Sequence, residues 1–167
     1  MNADGTINRA ALPAIFNPED LNALEQALRL KDTHPGSTVT ILTMGPGRAA
    51  EIIREGLYRG ADNGYLLTDR AFAGADTLAT SYAIATAIRK IGECDLIIGG
   101  RQAIDGDTAQ VGPQVAEKLG LSQITYTEEI LNVDETARRI TVKRHIDGGV
   151  ETVEGPLPIV LTVNGSA

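Results

Sequence analysis

Short apolar runs and helical patterns alternate along the chain up to residue 126. Apolar runs of about five residues are typical of buried strands, whereas apolar residues spaced three or four positions apart are typical of helices that cover a sheet. The alternation predicts a parallel sheet with connecting helices. Strands are predicted at residues 38–44, 64–68, 95–99 and 123–126, and helices at residues 18–33, 49–59, 77–91 and from about 109 to 119.

The pattern changes after residue 126. Short alternating strands are predicted at residues 129–133, 139–144, 151–153 and 159–163, with turns rich in Asp and Gly between them. These strands predict a small antiparallel appendage at the C-terminal end. The whole chain, residues 1–167, is therefore expected to form a single α/β domain. Its fold class is a doubly wound, mostly parallel sheet with helices on both faces, plus this appendage.

Composition narrows the function classes. The chain has 167 residues, 43% hydrophobic content, a formal charge of -7 and a pI near 4.8. Nucleic-acid phosphates need a basic surface, so the acidic balance argues against a nucleic-acid partner. A run of about 18 apolar residues and a basic-then-apolar leader are both missing, which predicts no membrane insertion and a cytoplasmic location. The single Cys94 is expected to be a small core or edge residue.

The most informative segment runs from Gly100 to Glu117, with the sequence GRQAIDGDTAQVGPQVAE. It connects a predicted buried strand to a helix, which is where open α/β sheets hold nucleotides. Free amides of residues 108–112 would open that helix, and helix amides together with the helix dipole bind anions. The segment therefore predicts a phosphate site, although a purely structural turn fits the same residues equally well.

Two carboxylates in this loop would repel a phosphate if both faced it. Asp107 is predicted to be the helix N-cap, and Asp105 to accept a hydrogen bond from a ribose or adenine group. The alternative is that both are turn residues. Arg101 is expected to pair with a phosphate or with Asp105. Pro113 is tolerated only in the first helical turn, so the helix should begin near residues 109–112, where Gly112 permits close approach of a ligand.

Catalytic groups are not predicted. His34 lies in a turn that ends a helix, and His145 lies in a strand beside Asp147, so both are expected to be surface or packing residues. Ser81 lies in a helix with no base at a suitable spacing. Two loop carboxylates without a third ligand make a weak magnesium site, so no metal is predicted. The residues alone therefore predict no side-chain catalyst.

The sequence GRQAIDGDTAQVGPQ closely resembles the adenine-nucleotide loop of the electron-transfer flavoprotein β-subunit family. Other segments resemble family segments in the same order. They are FNPED at residues 16–20, TMGP at residues 43–46, GAD at residues 60–62 and DRAFAGADT at residues 69–77. The resemblance therefore covers almost the whole chain.

The resemblance implies a fold similar to the adenine-nucleotide hydrolases and a set of nucleotide contacts. Residues that match 105–116 enclose the sugar and phosphates, and those that match 17–20 and Met44 complete the adenosine pocket. Without the resemblance, Asn17 is simply the N-cap of the first helix and Met44 a core residue at a strand end. The implied site residues are Asn17, Pro18, Asp20, Met44, Asp105, Asp107, Thr108, Ala109, Gln110, Val111 and Gly112.

Val111 bears on the identity of the cofactor. Family members that bind AMP commonly carry a hydroxyl residue at this position. The sequence DGDTAQVGP is more similar to the sequences of the branch that performs flavin-based electron bifurcation. In that branch a second FAD replaces AMP, so FAD is the implied cofactor and AMP the alternative. Flavin carries the electron chemistry, and the protein contributes binding and orientation.

The resemblance also implies partners. An electron-transfer flavoprotein α subunit would form a heterodimer with this chain, which would pass electrons between a flavin dehydrogenase, such as an acyl-CoA dehydrogenase, and an acceptor. A different class of protein is the alternative function. It is an ATP-binding regulatory domain of the stress-protein type without a redox role, because that fold shares the sheet and the phosphate-binding loop at its edge. A third alternative is a structural remnant that contacts an α subunit without binding a ligand.

Family members have a strand before the segment similar to residues 2–9, and an arm and a recognition loop beyond Val163. We therefore expect a fragment that lacks both. In the family's strand order, the first strand lies between those matching 38–44 and 95–99, which predicts a gap between two unpaired edges. We expect one of three outcomes. A strand from another molecule fills the gap, the sheet rearranges, or the fragment is only marginally stable. Nucleotide affinity is expected to be low, because the missing segment supplies part of the adenine pocket.

Overall fold

The computed structural model describes residues 14–167, so the segment at residues 2–9 lies outside the described residues. Helices and strands alternate through its first part and strands follow one another in its last part. The helices are α1 (Pro18–Thr33), α2 (Ala50–Arg59), α3 (Thr77–Ile91) and α4 (Val111–Leu119). The strands are β1 (Thr40–Met44), β2 (Asn63–Leu67), β3 (Leu96–Gly100), β4 (Ser122–Asp134), β5 (Arg139–Ile146), β6 (Gly149–Pro156) and β7 (Ile159–Val163). The mixed α/β class predicted from the sequence is confirmed.

The described strands form two sheets. One contains β1 and β2 in parallel, and the other has five strands in the order β3-β7-β4-β5-β6. Within the larger sheet, β7 runs parallel to both β3 and β4, whereas β5 is antiparallel to β4 and β6. In the described part of the chain β1 and β3 do not pair with each other.

The C-terminal strands differ from the prediction in two ways. Residues 159–163 were expected in the antiparallel appendage, but β7 is the central parallel strand of the larger sheet and all five of its residues are buried. Residues 123–126 and 129–133 were expected to be separate strands, but β4 is continuous. Register shifts near Tyr126, whose φ is 58°, bend β4 without ending it.

The core lies around β7. Ile140 and Val142 from β5, Ile159 and Leu161 from β7 and Ile124 from β4 form one buried cluster. Burial of a side chain of this size stabilises a fold by about 1.5 to 3 kcal/mol relative to exposure. The loop after β3 is therefore attached to the best-packed part of the described chain.

Helix α1 contacts both sheets. At its C-terminal end the Lys31 ammonium donates to the Asp62 carboxylate at 2.6 Å and to the Gly60 carbonyl at 2.9 Å, next to β2. At its N-terminal end the Asp20 carboxylate accepts from the amide of Gly100 at 2.6 Å, at the end of β3. Thus α1 connects two sheets that share no strand pairing among residues 14–167.

The other helix ends follow their local signals. The Asp76 carboxylate accepts from the amide of Ala79 at 2.8 Å, which confirms the predicted cap of α3. Helix α4 ends at Gly120, whose left-handed φ of 69° suits glycine. None of the described helices combines the length and the apolar composition needed to cross a bilayer.

Candidate nucleotide-binding site

The loop of residues 101–110 leaves the carboxyl end of β3 and leads into α4. The Arg101 amide donates to the carbonyl of Val163 at 2.7 Å, so the loop begins beside the end of β7. Beyond Gln102 most of its residues are exposed, with only Ala109 partly buried. The loop therefore sits at the carboxyl edge of the parallel strands, which is the position where open α/β folds bind ligands.

The Asn17 side chain reaches across to this loop. Its Nδ2 donates to the carbonyl of Gln102 and to the Asp20 carboxylate, both at 2.9 Å, and its Oδ1 accepts from the amide of Ile104 at 3.2 Å. Asn17 occupies the N-cap position of α1, but its side chain makes no capping hydrogen bond. The predicted N-cap position of Asn17 is confirmed, but its side chain does not cap the helix, because all of its hydrogen bonds except one go to the loop.

Two carboxylates of the first turn of α1 bind the same segment. The Asp20 carboxylate accepts a hydrogen bond from Asn17 Nδ2 in addition to the one from the Gly100 amide. Glu19 accepts from the Gln102 amide at 3.0 Å and from the Arg101 guanidinium at 3.0 Å. A Cβ on Gly100 would lie 2.9 Å from the backbone of Glu19 and Asp20, so only glycine permits this approach.

Arg101 pairs with a carboxylate other than the predicted Asp105, and its pairing with a phosphate stays a prediction. It forms an ion pair with Glu19 and lies over the Tyr126 ring, 5.6 Å from the ring centroid. The hydrogen-bonded Glu19 carboxylate raises the pKa of Arg101 above its ordinary value, although partial burial opposes this. Arg101 thus links the loop to both α1 and the bend in β4.

Asp107 also differs from its predicted role. Its carboxylate accepts from Gln102 Nε2 at 2.8 Å, whereas the residue that precedes α4 is Gln110, which makes no side-chain cap. The Asp107 amide donates to the carbonyl of Ala103 at 2.9 Å, which closes a turn inside the loop. Asp107 is therefore a turn residue, the alternative that its sequence context left open. Asp105 lies in the same exposed turn.

The segment before α4 has an unusual backbone. Asp107 and Ala109 have φ values of 49° and 52°, in the left-handed region that side chains other than glycine rarely adopt. Gln110 follows in a right-handed conformation, and alternation of the two hands turns successive amides toward one side. The amides of Thr108, Ala109 and Gln110 donate to no other residue between 14 and 167.

Helix α4 begins at Val111, within the predicted range of residues 109–112, and Pro113 lies in its first turn. Its N-terminal end lies beside that of α3, because the Thr77 hydroxyl donates to Gln110 Oε1 at 2.9 Å and Ser81 Oγ to Gln114 Oε1 at 3.1 Å. Two helix N-termini therefore meet at this edge of the molecule, and both have partial positive charge.

The remaining predicted site residues lie at the edges of this arrangement. Pro18 is the exposed first residue of α1, and Met44 is the half-buried last residue of β1. Val111 is half-buried. A Cβ on Gly112 would lie 2.5 Å from Thr162 Cγ2, so this glycine permits close packing of α4 on β7. The predicted approach of a ligand to Gly112 stays a prediction.

Metal-binding clusters are absent from the part of the chain that the structure describes, where no three His, Cys, Asp or Glu side chains converge. Cys94 is exposed just before β3, so of the two predicted positions, core or edge, the core position is wrong. Partial desolvation, and secondarily the Asp95 carboxylate, raises the pKa of its thiol, so the thiol stays protonated at neutral pH.

The site can now be compared with known proteins. The family model described as the electron transfer flavoprotein domain matches residues 4–167. The chain belongs to this family. Its relatives include Protein FixA of Azorhizobium caulinodans, which is 54% identical over 162 residues, or 95% of this chain and 57% of that protein. The sequence resemblance to the electron-transfer flavoprotein family is thereby confirmed.

Two further relatives of this electron transfer flavoprotein domain have informative names. The caffeyl-CoA reductase-Etf complex subunit CarD of Acetobacterium woodii is 51% identical over 158 residues, covering 95% of this chain and 59% of that protein. The electron transfer flavoprotein subunit beta of Clostridium acetobutylicum is 50% identical over the same number of residues, with the same coverage. The chain thus spans less than three fifths of the length of these relatives.

Sequence reasoning missed several residues that shape the loop. Gln102, Thr77 and Tyr126 were not predicted as site residues, and Glu19 was included only as part of the matching range 17–20, yet each contacts the loop or a residue within it. Glu19 and Gln102 lie 83 positions apart, so no local pattern reveals their contact. The only available signal was Glu19 in the first turn of a helix, which is ordinarily explained by the helix dipole.

Proposed function

We propose that this chain is the nucleotide-binding part of an electron-transfer flavoprotein β-type subunit, and that the loop of residues 101–110 together with the N-terminal turn of α4 holds the phosphates of FAD. The observation that carries this proposal is the unusual backbone before α4, where the amides of Thr108, Ala109 and Gln110 have no acceptor among the described residues. Amides aligned at a helix N-terminus bind phosphate oxygens.

The charges around the loop support the same proposal. A phosphate would be repelled by free carboxylates, but Glu19 is paired with Arg101 and Asp20 accepts two hydrogen bonds. The Asp107 carboxylate accepts a hydrogen bond from the side-chain Nε2 of Gln102. The carboxylates of Glu19, Asp20 and Asp107 are thus oriented toward donors of the protein, and the amides of residues 108–110 are the proposed anion-binding groups.

FAD is preferred to AMP because Val111 offers no hydroxyl at the start of α4, so the main-chain amides must supply the donors. When bound, the flavin would supply the electron chemistry. The residues of this chain bind and orient it. An α subunit would complete the heterodimer, which would shuttle electrons between a flavin dehydrogenase, such as an acyl-CoA dehydrogenase, and an acceptor.

The proposal includes the larger fold. The two sheets would be parts of one doubly wound sheet, with helices on both faces and a further strand between β1 and β3. The contacts of α1 with both sheets support this arrangement. The similarity to electron transfer flavoprotein relatives over 95% of the chain favours an electron-transfer role over an ATP-binding regulatory role.

Nucleotide analysis tests the proposal directly. The protein is purified with its α-type partner, denatured, and the released nucleotide is identified by chromatography and by absorbance in the flavin bands. We expect FAD in an amount that exceeds one per heterodimer, since the α subunit would hold one of its own. Release of ATP alone, or of no nucleotide assignable to this chain, would overturn the proposal, and release of AMP would replace FAD as the occupant.

A further inference from the structure

We propose that Glu19 is a positioning residue of the nucleotide site, and that Asn17 and Asp20 act with it to hold the loop rather than to contact the nucleotide. This inference rests on the proposed function. We name the three side chains the α1 clamp. They come from the last residue before α1 and its first turn, and they bind the segment of residues 100–104.

The hydrogen-bonding capacity of the α1 clamp is largely used inside the protein. Both N–H groups of the Asn17 amide have acceptors, and its oxygen accepts from Ile104. One Asp20 oxygen accepts from Gly100 and the other from Asn17. An asparagine amide has only two hydrogens to donate. A nucleotide contact by Asn17 as donor would therefore break either its bond to the Gln102 carbonyl in the loop or its bond to Asp20 within the α1 clamp.

Glu19 makes the contacts that join the loop to its surroundings. Its carboxylate accepts from the Gln102 amide, and its side chain is only 13% exposed in the ion pair with Arg101. Arg101 in turn lies over the Tyr126 ring. A charge-assisted hydrogen bond at a partly buried site is stronger than a neutral one, so Glu19 fixes both the main chain and the side chain at the start of the loop.

The α1 clamp does not touch the amides that would bind phosphate. It influences them along the main chain of the loop. The segment it holds is followed by the turn at residues 103–107 and then by the left-handed residues Asp107 and Ala109. Such a backbone persists only where its surroundings maintain it. If the start of the loop is released, the amides of residues 108–110 lose their common direction, and binding must supply the free energy to order them again.

The test compares Glu19→Ala with the matched control Glu25→Gln. Glu25 lies on the same helix and pairs with Arg29 at 2.8 Å, but it is exposed and does not contact the loop. In the ligand-free protein, we expect Glu19→Ala to accelerate hydrogen exchange at the amides of residues 100–104. FAD and AMP should each bind roughly tenfold more weakly, by a similar factor, because the same loop must be ordered for both nucleotides. Glu25→Gln should change neither quantity.

Other results would overturn the inference. Unchanged exchange with unchanged affinity shows that Glu19 does not hold the loop. Weaker binding with unchanged exchange shows direct contact with the nucleotide, as does a loss confined to FAD or to AMP. If Glu19→Ala does not fold, Glu19→Gln keeps one acceptor for the Gln102 amide but loses the ion pair, and an intermediate loss of affinity is expected. No loss in that variant also overturns the inference.

A double-mutant cycle with Arg101→Gln separates positioning from general structure. Because Glu19 acts partly through Arg101, we expect Glu19→Gln to weaken binding less in the Arg101→Gln background than in the wild-type background. Full additivity contradicts the proposed linkage. If the unaltered protein binds neither FAD nor AMP, the proposed function fails, whereas the exchange measurement still reports whether the α1 clamp holds the loop.

Discussion

Val111 is the first residue of α4 and is half-buried next to the free loop amides. Its apolar side chain cannot donate to a phosphate. We expect Val111→Thr to raise the affinity for AMP relative to FAD by about fivefold, because a single added hydrogen bond contributes about 1 kcal/mol. Isothermal titration with each nucleotide measures the ratio.

Val111→Ala is the matched control, since it removes volume without adding a donor. It should leave the ratio of the two affinities unchanged. An equal ratio in Val111→Thr and Val111→Ala would contradict the argument that this residue discriminates between the two nucleotides.

Gly112 shows how close packing constrains a single residue. A Cβ there would lie 2.5 Å from Thr162 Cγ2, and Thr162 is 97% buried, so it has little room to move. We expect Gly112→Ala to lower the free energy of unfolding by about 1 to 2 kcal/mol, because overpacking outweighs the gain in helix propensity. Chemical denaturation measures the change.

Gly47→Ala provides the comparison for Gly112→Ala, since nothing lies within 4 Å of a Cβ built at Gly47. Its effect should be small. If the two variants are equally stable, Thr162 relaxes more easily than its burial indicates.

At the scale of elements, the cap of α3 depends on one carboxylate. Asp76 accepts from the Ala79 amide at 2.8 Å at the helix end that lies beside α4. We expect Asp76→Ala to cost about 1 kcal/mol of stability, whereas Asp76→Asn should retain most of it, because both Asp and Asn are good N-caps. Thermal unfolding compares the two variants, and equal losses would contradict a capping role.

The contact between α1 and the α2–β2 turn depends on pH. The hydrogen bond from Lys31, followed by that from the Val39 amide, lowers the pKa of Asp62 below its ordinary value of 3.8. A carboxylate whose folded pKa is lowered adds stability above its unfolded pKa, and that stability is lost as the pH falls through the folded pKa. We expect Lys31→Gln to be less stable than the unaltered protein at pH 7.

This difference should shrink as the pH falls from about 3.8 through the lowered folded pKa, below which Asp62 is neutral in both proteins. Denaturant unfolding at several pH values measures it. Arg29→Gln breaks an exposed pair on the same helix and should have little effect at either pH, because such pairs contribute little. A difference for Lys31→Gln that is independent of pH would show that the ion pair is not its cause.

Elements with strong local signals could be predicted from the sequence. Asp76, Pro18 and Gly120 set helix ends as expected, because capping acts within one turn. The position of residues 159–163 was predicted wrongly, although their continuous apolar run is typical of a buried parallel strand rather than of an alternating one. The signal was present, but the neighbouring alternating strands suggested a common antiparallel group.

The loop was located correctly, but its internal contacts were not. Asp107 was predicted to be a helix cap or a turn residue, and Arg101 to pair with a phosphate or with Asp105, whereas their protein partners are Gln102 and Glu19. Choice among partners of similar chemistry depends on distances set by long-range packing of α1 on β3. Those distances are not encoded in the spacing of residues within the loop.

At the scale of the whole molecule, the two sheets differ in packing. Strands β1 and β2 pair only with each other within residues 14–167, and the first three residues of β2 are exposed. The five-stranded sheet contains fully buried residues on β5 and β7. Regions with fewer buried contacts open at a lower free energy than the core.

We therefore expect hydrogen exchange of the purified chain to be faster at the amides of β1 and β2 than at those of β7 and β5, measured peptide by peptide by mass spectrometry. Addition of an α-type partner or of FAD should slow exchange at residues 101–112 if the nucleotide site forms. Equal protection of both sheets would indicate that a strand joins β1 to β3, directly or from a second molecule. In that case the exchange rates of β1 should depend on protein concentration if the strand comes from a second copy, and not otherwise.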